Sequence, residues 1–454
     1  MELFWNWIQS VHADKLDVDN REPLTTFEFP SSLIEGEYAL YAPRGGLWNQ
    51  LIFAILVQLL FQVAFAVVIY KGIVQTRAEK SSSMMTSYLL GYGVLMPLAL
   101  YLPFEIMELL VVRNRSVKLA YGTLPTIVCF RCIEAMHGTS PPAVEASLVN
   151  YVTYYSSVTH FEWNVKSQER RKITLREIGG ALWRVAYFFT ACSLWLSWMM
   201  HVNYQPFGPK VPLDSFSLSL DLISPEHLLN AYCLAVLVYF VLATGFEITV
   251  FGEQIKGYAT KPTFNNPLFK SRSIREFWGK RWDLMIHRIL KHGAFLPARK
   301  AFADAHVGNL MGTLAAFLAS GLLHEYSWAV IFYQYREDEG ECDNCYSPLP
   351  LKLTCFFLYN ALTMTSKCVE LVCCIFFGKI SDSSSILWYY YYIISVEHYY
   401  GRHITFFESW PSIIVSTMLV LTAIPVSHWY SGDWVVGGFF DDFAIGLWHI
   451  KRIA

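Results

Sequence analysis

The chain has 454 residues, 54% of them hydrophobic, 16% aromatic and only 16% charged, with a mean hydropathy of +0.32. An average soluble protein carries about 25% charged residues, so this composition excludes a disordered chain, a secreted disulfide scaffold and an ordinary cytosolic enzyme. It points to a polytopic membrane protein, and a formal net charge of −2 gives no reason to expect nucleic acid as a partner.

A spanning helix needs about 20 predominantly apolar residues. In chain order the candidates are Leu47–Tyr70, Met84–Phe104, Ala120–Met136, Ala181–Met200, Leu228–Phe251, Leu310–Tyr333, Leu353–Phe377, Ile386–Tyr400 and Ile413–Tyr430. The first has no charge at all. The third contains Arg131 and Glu134, the fourth Arg184, the fifth Glu247, the sixth His324 and Glu325, and the seventh Lys367 and Glu370. The fold class is therefore all-α: a polytopic bundle of about 8–10 transmembrane helices with an internal substrate tunnel. Charges inside the spans are expected to pair across the bundle and act as structural glue.

The loops carry the orientation. Residues 252–307 hold eleven Lys or Arg against four acids, whereas Arg336 to Asp343 reads Arg-Glu-Asp-Glu-Gly-Glu-Cys-Asp. Lys and Arg in short loops mark the cytosolic side, so the basic segment is expected there and the acidic loop in a lumen. That placement favours a disulfide between Cys342 and Cys345, because lumenal faces are oxidising. Most other cysteines lie in apolar runs, where a free thiol acts as a small hydrophobe. The chain divides into 1–46, a cytosolic or interfacial segment; 47–251, the N-terminal helices; 252–333, a basic segment plus the His-bearing span; and 334–454, a lumenal loop and the C-terminal helices.

Two segments are candidates for chemistry. In the first, Asn266-Pro267-Leu268 is followed by Ser273-Ile274-Arg275-Glu276-Phe277-Trp278-Gly279-Lys280-Arg281-Trp282-Asp283. Ser273 with Glu276 has capping-box spacing, so a helix is predicted to start near Ile274. Ile274, Trp278, Trp282, Met285 and Ile289 would line one face, as in a helix lying in a membrane interface. Its cationic side suits an anionic substrate, although a plain membrane-surface helix explains the pattern equally. In the second, Ala319-Ser320-Gly321-Leu322-Leu323-His324-Glu325 places an ionisable residue inside a span, a functional-site signal by default. A histidine tied to another helix's carbonyl is the bland alternative. Glu325 lies about 100° round the helix from His324 and is not expected to orient it. A weaker rival is His428-Trp429-Tyr430-Ser431-Gly432-Asp433, with the HxxxxD spacing of glycerol-phosphate acyltransferases.

The two segments together resemble the membrane-bound O-acyltransferase family, most closely its wax synthase branch, in order, spacing and surrounding spans. The close likeness runs from Pro262 to Trp328. One departure is Asp283, where the family usually has Asn; an amide donates a hydrogen bond and an ionised carboxylate cannot. The resemblance implies transfer from fatty acyl-CoA to a lipid alcohol, giving an ester and free CoA, with a long-chain alcohol leading over diacylglycerol or a sterol. His324 is implied as general base and Asp283 as its catalytic companion. Asn266, Trp278, Arg281, Trp282, Ser320 and Gly321 are implied to bind substrate. No metal and no cofactor beyond the acyl-CoA are expected. The implied setting is the endoplasmic reticulum membrane, with membrane lipid as neighbour and a homo-oligomer compatible with the chain. A lipid transporter or an inactive scaffold is the non-enzymatic alternative; a transporter predicts paired broken helices in two halves, which the sequence does not display.

Overall fold

The computed structural model describes residues 21–28, 36–78, 84–157, 159–162, 170–216, 219–335, 346–364, 416 and 426–453. Among these, four helices are long and apolar enough to cross a membrane: α1 (Gly45–Gln75), α2 (Met84–Leu110), α6 (Pro225–Gln254) and α8 (Ala305–Ile331). Between them lie α3 (Arg115–His137), α4 (Leu148–Ser156) and α5 (Leu175–His201). After α6 come the short α7 (Leu284–Leu290), then α8, α9 (Lys352–Met364), α10 (His428–Val436) and α11 (Phe439–Ala444). The protein is an all-α, multi-pass membrane protein. The expected spans Ile386–Tyr400 and most of Leu353–Phe377 and Ile413–Tyr430 lie outside the described residues, as do Lys367, Glu370, Cys342 and Cys345.

Burial in this bundle is inverted relative to a soluble protein. The buried face of α1 carries Gln50, Ala54, Gln58, Gln62 and Ala66, while Leu60 on the other side is 73% exposed. Lipid is as apolar as leucine, so small and polar side chains hold helices together and large aliphatic ones face outward. The predicted glue is partly visible. Arg184 of α5 pairs with Glu247 of α6 at 3.0 Å. Arg131 and Glu134 pair within α3 at 3.0 Å, and Tyr154 donates to the same carboxylate.

One small sheet joins the chain ends. Strand β1 (Thr25–Glu28) pairs antiparallel with β2 (Glu37–Tyr41), and β2 with β3 (His449–Arg452). It sits at the C-terminal end of α5, where Ser197 Oγ accepts from the Ile450 N–H at 3.0 Å. The basic segment begins at the far end of α6, a 30-residue helix about 45 Å long. A cytosolic N-terminal segment and a cytosolic basic segment are therefore incompatible: residues 36–44 and 252–304 occupy opposite ends of the bundle.

The predicted interfacial helix is also not continuous. Ser273 Oγ accepts from the Glu276 N–H at 3.0 Å and starts a turn at Ile274 as expected. Residues Phe277–Arg281 then widen into a π-turn, and Trp282 is extended. Asp283 has φ 34, in the left-handed region, and its Oδ1 accepts from the Ile286 N–H at 3.1 Å to open α7. The widened turn and reversed backbone point Trp278 and Trp282 into the bundle instead of along a membrane surface.

Candidate active site

A cavity of about 1080 Å³ runs through the bundle, walled by α1, α3, α6, α8, the segment 274–295, α9 and α10. Most of its wall is hydrocarbon and aromatic. His324, Asp283, Trp278, Trp282 and Ser320 all line it, so five of the residues singled out in the sequence meet around one space. The stretch between Asp283 and Ser320 brings them together because α8 turns back against α7 and its following π-turn, Lys291–Phe295.

His324 Nδ1 lies 2.6 Å from the carbonyl oxygen of Ser320, one turn earlier on α8. A carbonyl only accepts, so Nδ1 carries the hydrogen and Nε2 keeps its lone pair. The ring is held between Phe357 of α9, at 4.5 Å between centroids, and Tyr430 of α10, edge-on at 5.4 Å. Aromatic walls on two sides restrict the ring's rotation. Trp278 packs edge-on against Phe317 at 5.9 Å and against Trp282 at 6.1 Å, which extends the aromatic lining toward the basic end.

Asp283 spends one carboxylate oxygen as the α7 cap. Burial raises its carboxyl from the ordinary range up to about 7. A carboxyl with that affinity holds its proton in a substantial fraction of molecules near neutrality, and a protonated carboxyl donates as an Asn amide does. The departure from the family's usual Asn is therefore chemically smaller than the sequence suggests.

Three expected substrate-binding residues stand elsewhere. Arg281 is locked by Glu276, at 2.9 and 2.6 Å, and by the Asn265 carbonyl, at 3.0 Å, and it is not part of the cavity wall. Asn266 forms the turn before Pro267 with φ 46 and also lies off the wall. Gly321 admits a neighbouring helix: a Cβ there would lie 2.7 Å from Thr354 Cα. Glu325 turns away from His324 as expected, and accepts from the Thr354 N–H at 3.0 Å to cap α9.

The site also contains residues that sequence reasoning passed over. Phe357 and Tyr430 sit more than thirty and one hundred positions beyond His324, and nothing local in the sequence links them to it. Arg275 and Lys291 stand on the cavity wall at its basic end, both exposed and neither with an acidic partner among the described residues. In the sequence they are two of the eleven cations of residues 252–307. The HxxxxD alternative is occupied otherwise: Asp433 pairs with Lys352 at 2.8 Å, both side chains 1% exposed, and also accepts from Tyr346. Lys352 further donates to the Asp214 carbonyl at 3.0 Å.

Residues 260–342 match the Membrane bound O-acyl transferase family, a stretch that includes Trp278, Trp282, Asp283, Ser320 and His324. Probable long-chain-alcohol O-fatty-acyltransferase 9 of Arabidopsis thaliana is 32% identical over 145 residues, covering 30% of this chain and 41% of the relative. The long-chain-alcohol O-fatty-acyltransferase of Simmondsia chinensis is 34% identical over 104 residues, covering 21% and 29%. Acyl-CoA--sterol O-acyltransferase 1 of Arabidopsis thaliana is 28% identical over 105 residues, covering 22% and 29%. The chain thus spans less than half the length of each of these curated relatives.

Proposed function

On the premise that this chain belongs to the membrane bound O-acyl transferase family, we propose that it transfers a fatty acyl group from acyl-CoA to the hydroxyl of a lipid alcohol. A long-chain alcohol is the leading acceptor, giving a wax ester and free CoA. The observation that carries this reading is His324, with Nδ1 bound to a carbonyl and the residue on the wall of a large apolar cavity. In the proposed reaction Nε2 takes the alcohol proton while the alcohol oxygen attacks the thioester carbonyl. The tetrahedral adduct collapses, the C–S bond breaks, and the imidazolium returns the proton to the departing thiolate. No acyl-enzyme forms, and the step draws on no cofactor beyond the acyl-CoA.

Asp283, in its protonated form, is positioned on the same cavity to donate toward the developing oxyanion. Trp278, Trp282 and Phe317 supply an aromatic wall for the acyl chain near its thioester end. Arg275 and Lys291 give the basic end of the cavity exposed cations for the phosphates of CoA. With the basic segment in the cytosol, where acyl-CoA is dissolved, the chain would sit in the endoplasmic reticulum membrane, with the β-sheet on the lumenal side.

The test is acceptor competition in microsomes from a host lacking neutral-lipid acyltransferases. Labelled palmitoyl-CoA is offered with hexadecan-1-ol, a diacylglycerol and a sterol together. Wild type is expected to make labelled wax ester, and His324→Ala, inserted in equal amount, to lose about 10²–10⁴-fold of the rate. Label in steryl ester would favour the sterol reading, for which the relative of that name is the supporting observation. No ester of any kind from inserted wild type would overturn the enzyme reading.

A further inference from the structure

Two glutamines project from the buried face of α1, one turn apart, and the bundle treats them differently. Gln58 is satisfied: its amide donates to the Ala120 carbonyl, and its Oε1 accepts from Thr123 Oγ1 at 2.9 Å. Gln62 is only 2% exposed, lines the cavity, and has no hydrogen-bond partner among the described residues. The hydroxyl of Thr126 on α3 is in the same position: buried, on the cavity wall, and without a partner among the described residues. A buried amide left without a partner is costly. Its presence on the cavity wall calls for a polar group in what fills that cavity.

The helix register fixes the depth of these groups. Helices α1 and α3 run parallel, since both begin at the sheet end: Trp48 donates to the Gly446 carbonyl at 2.9 Å, and the Arg115 N–H to Asp442 at 2.7 Å. With Gln58 against residues 120–123, Gln62 falls one turn further on, level with Thr126. Helix α8 runs antiparallel to α3, with Gly122 against Val330 and Ile127 in one cluster with Ala319 and Leu323. His324 is therefore at about the depth of Thr126 and Gln62, but on a different wall.

We propose that Gln62 and Thr126 bind an oxygen of the acyl acceptor other than its reacting hydroxyl, so that the preferred acceptor is a long-chain alcohol bearing a second oxygen function. This deepens the acyltransferase reading above and rests on it. The donor does not supply that oxygen. Its thioester carbonyl must lie beside His324 and Asp283, its acyl chain is hydrocarbon, and its phosphates belong at the basic end. The acceptor comes from lipid, and the neighbouring cavity residues of α1, Ile52, Ile55 and Leu56, are exposed on the bundle's outer surface.

The experiment compares three acceptors with palmitoyl-CoA in the same microsomes: hexadecan-1-ol, hexadecane-1,2-diol and 1-palmitoylglycerol. Wild type is expected to prefer at least one of the two oxygenated acceptors over the plain alcohol. Gln62→Leu, and independently the isosteric Thr126→Val, should each lower kcat/KM for that acceptor about tenfold, the scale of one lost hydrogen bond. Hexadecan-1-ol should stay within about twofold, given that a group it never touches has been removed. Equal losses for all three acceptors would overturn the inference in favour of a structural or donor-side role. So would a wild type without preference, as expected where the two groups hold only water. Wild type that makes no ester from any acceptor removes the acyltransferase reading itself, and the inference with it.

Discussion

His324 with Asp283 and His428 with Asp433 are two histidine–acid pairs in one bundle, linked through Tyr430, which touches the first histidine and lies on the helix of the second. In the second pair the acid serves a buried ion pair through its Oδ1. Asp433 holds Lys352 and Tyr346, and His428 packs edge-on against His227 at 5.2 Å. Neither residue of that pair reaches the cavity wall. In the first pair each side chain spends one polar atom on its own backbone, Nδ1 on Ser320 and Oδ1 on Ile286, and both residues line the cavity. The two motifs are equally legible as strings of letters. What separates them is a place on the cavity wall.

The sharpest way to break this comparison is at Asp433. Removing one member of a buried ion pair leaves an uncompensated charge and costs about 3–5 kcal/mol. Asp433→Ala is therefore expected to abolish accumulation of folded protein, read by detergent-solubilised monodisperse yield. Replacing both partners, with Lys352→Met and Asp433→Leu together, should restore most of that yield, since a well-packed apolar pair is often neutral. Rescued protein should keep the proposed acyltransferase activity. If the rescued double variant were folded but as inactive as His324→Ala, Asp433 would belong to the chemistry after all.

A smaller effect is expected at Asp283. Its folded-state carboxyl is raised to about 7 from an ordinary value near 4. The folded protein thus binds the proton more tightly than the unfolded chain, and the group destabilises progressively as pH rises from about 4 through 7. Asn caps a helix as well as Asp does and tolerates positive φ. Asp283→Asn should therefore raise stability at pH 8 by on the order of 1–3 kcal/mol, read as a higher thermal midpoint, and leave it unchanged near pH 4. If Asp283 donates as proposed, the proposed acyltransferase activity of the wild type should decline above about pH 7 as that proton is lost, and the Asn variant should lack that decline. A pH-independent stability difference would show that the carboxyl is not held up by burial.

Much of this was readable from the sequence, for particular physical reasons. The charge-free run from Leu47 to Tyr70 had no other place than a membrane. The start of a turn at Ile274 followed from Ser273 and Glu276. His324 stood out because an ionisable residue inside a span is expensive. Three features were hidden. The break at Trp282–Asp283 depends on a left-handed residue that apolar periodicity does not register. Arg281 and Arg275 look alike in a basic run, yet one is bound by Glu276 and the other is not. Phe357 and Tyr430 reach His324 only through long-range packing of α9 and α10 on α8, for which one sequence carries no signal.

The contrast between the two arginines repeats the lesson of the two histidine–acid pairs at the basic end, with the smallest expected effect. Arg281 makes three hydrogen bonds within its own segment, to Glu276 and to the Asn265 carbonyl. Its loss should loosen the turn that presents Trp278 and Trp282, and appear as lower stability. Arg275 is an exposed cation on the cavity wall, so in the proposed reaction its interaction with a CoA phosphate would be worth about as much as an exposed ion pair, roughly 0.2–1 kcal/mol. That converts to about a 1.4- to 5-fold rise in KM for acyl-CoA in Arg275→Ala, with kcat unchanged. Because exposed charges are screened over about 8 Å at physiological ionic strength, the difference from wild type should shrink as salt is raised. An Arg275→Ala effect on kcat that ignores salt would mean that this side chain acts on the reacting atoms and not on the donor's charge.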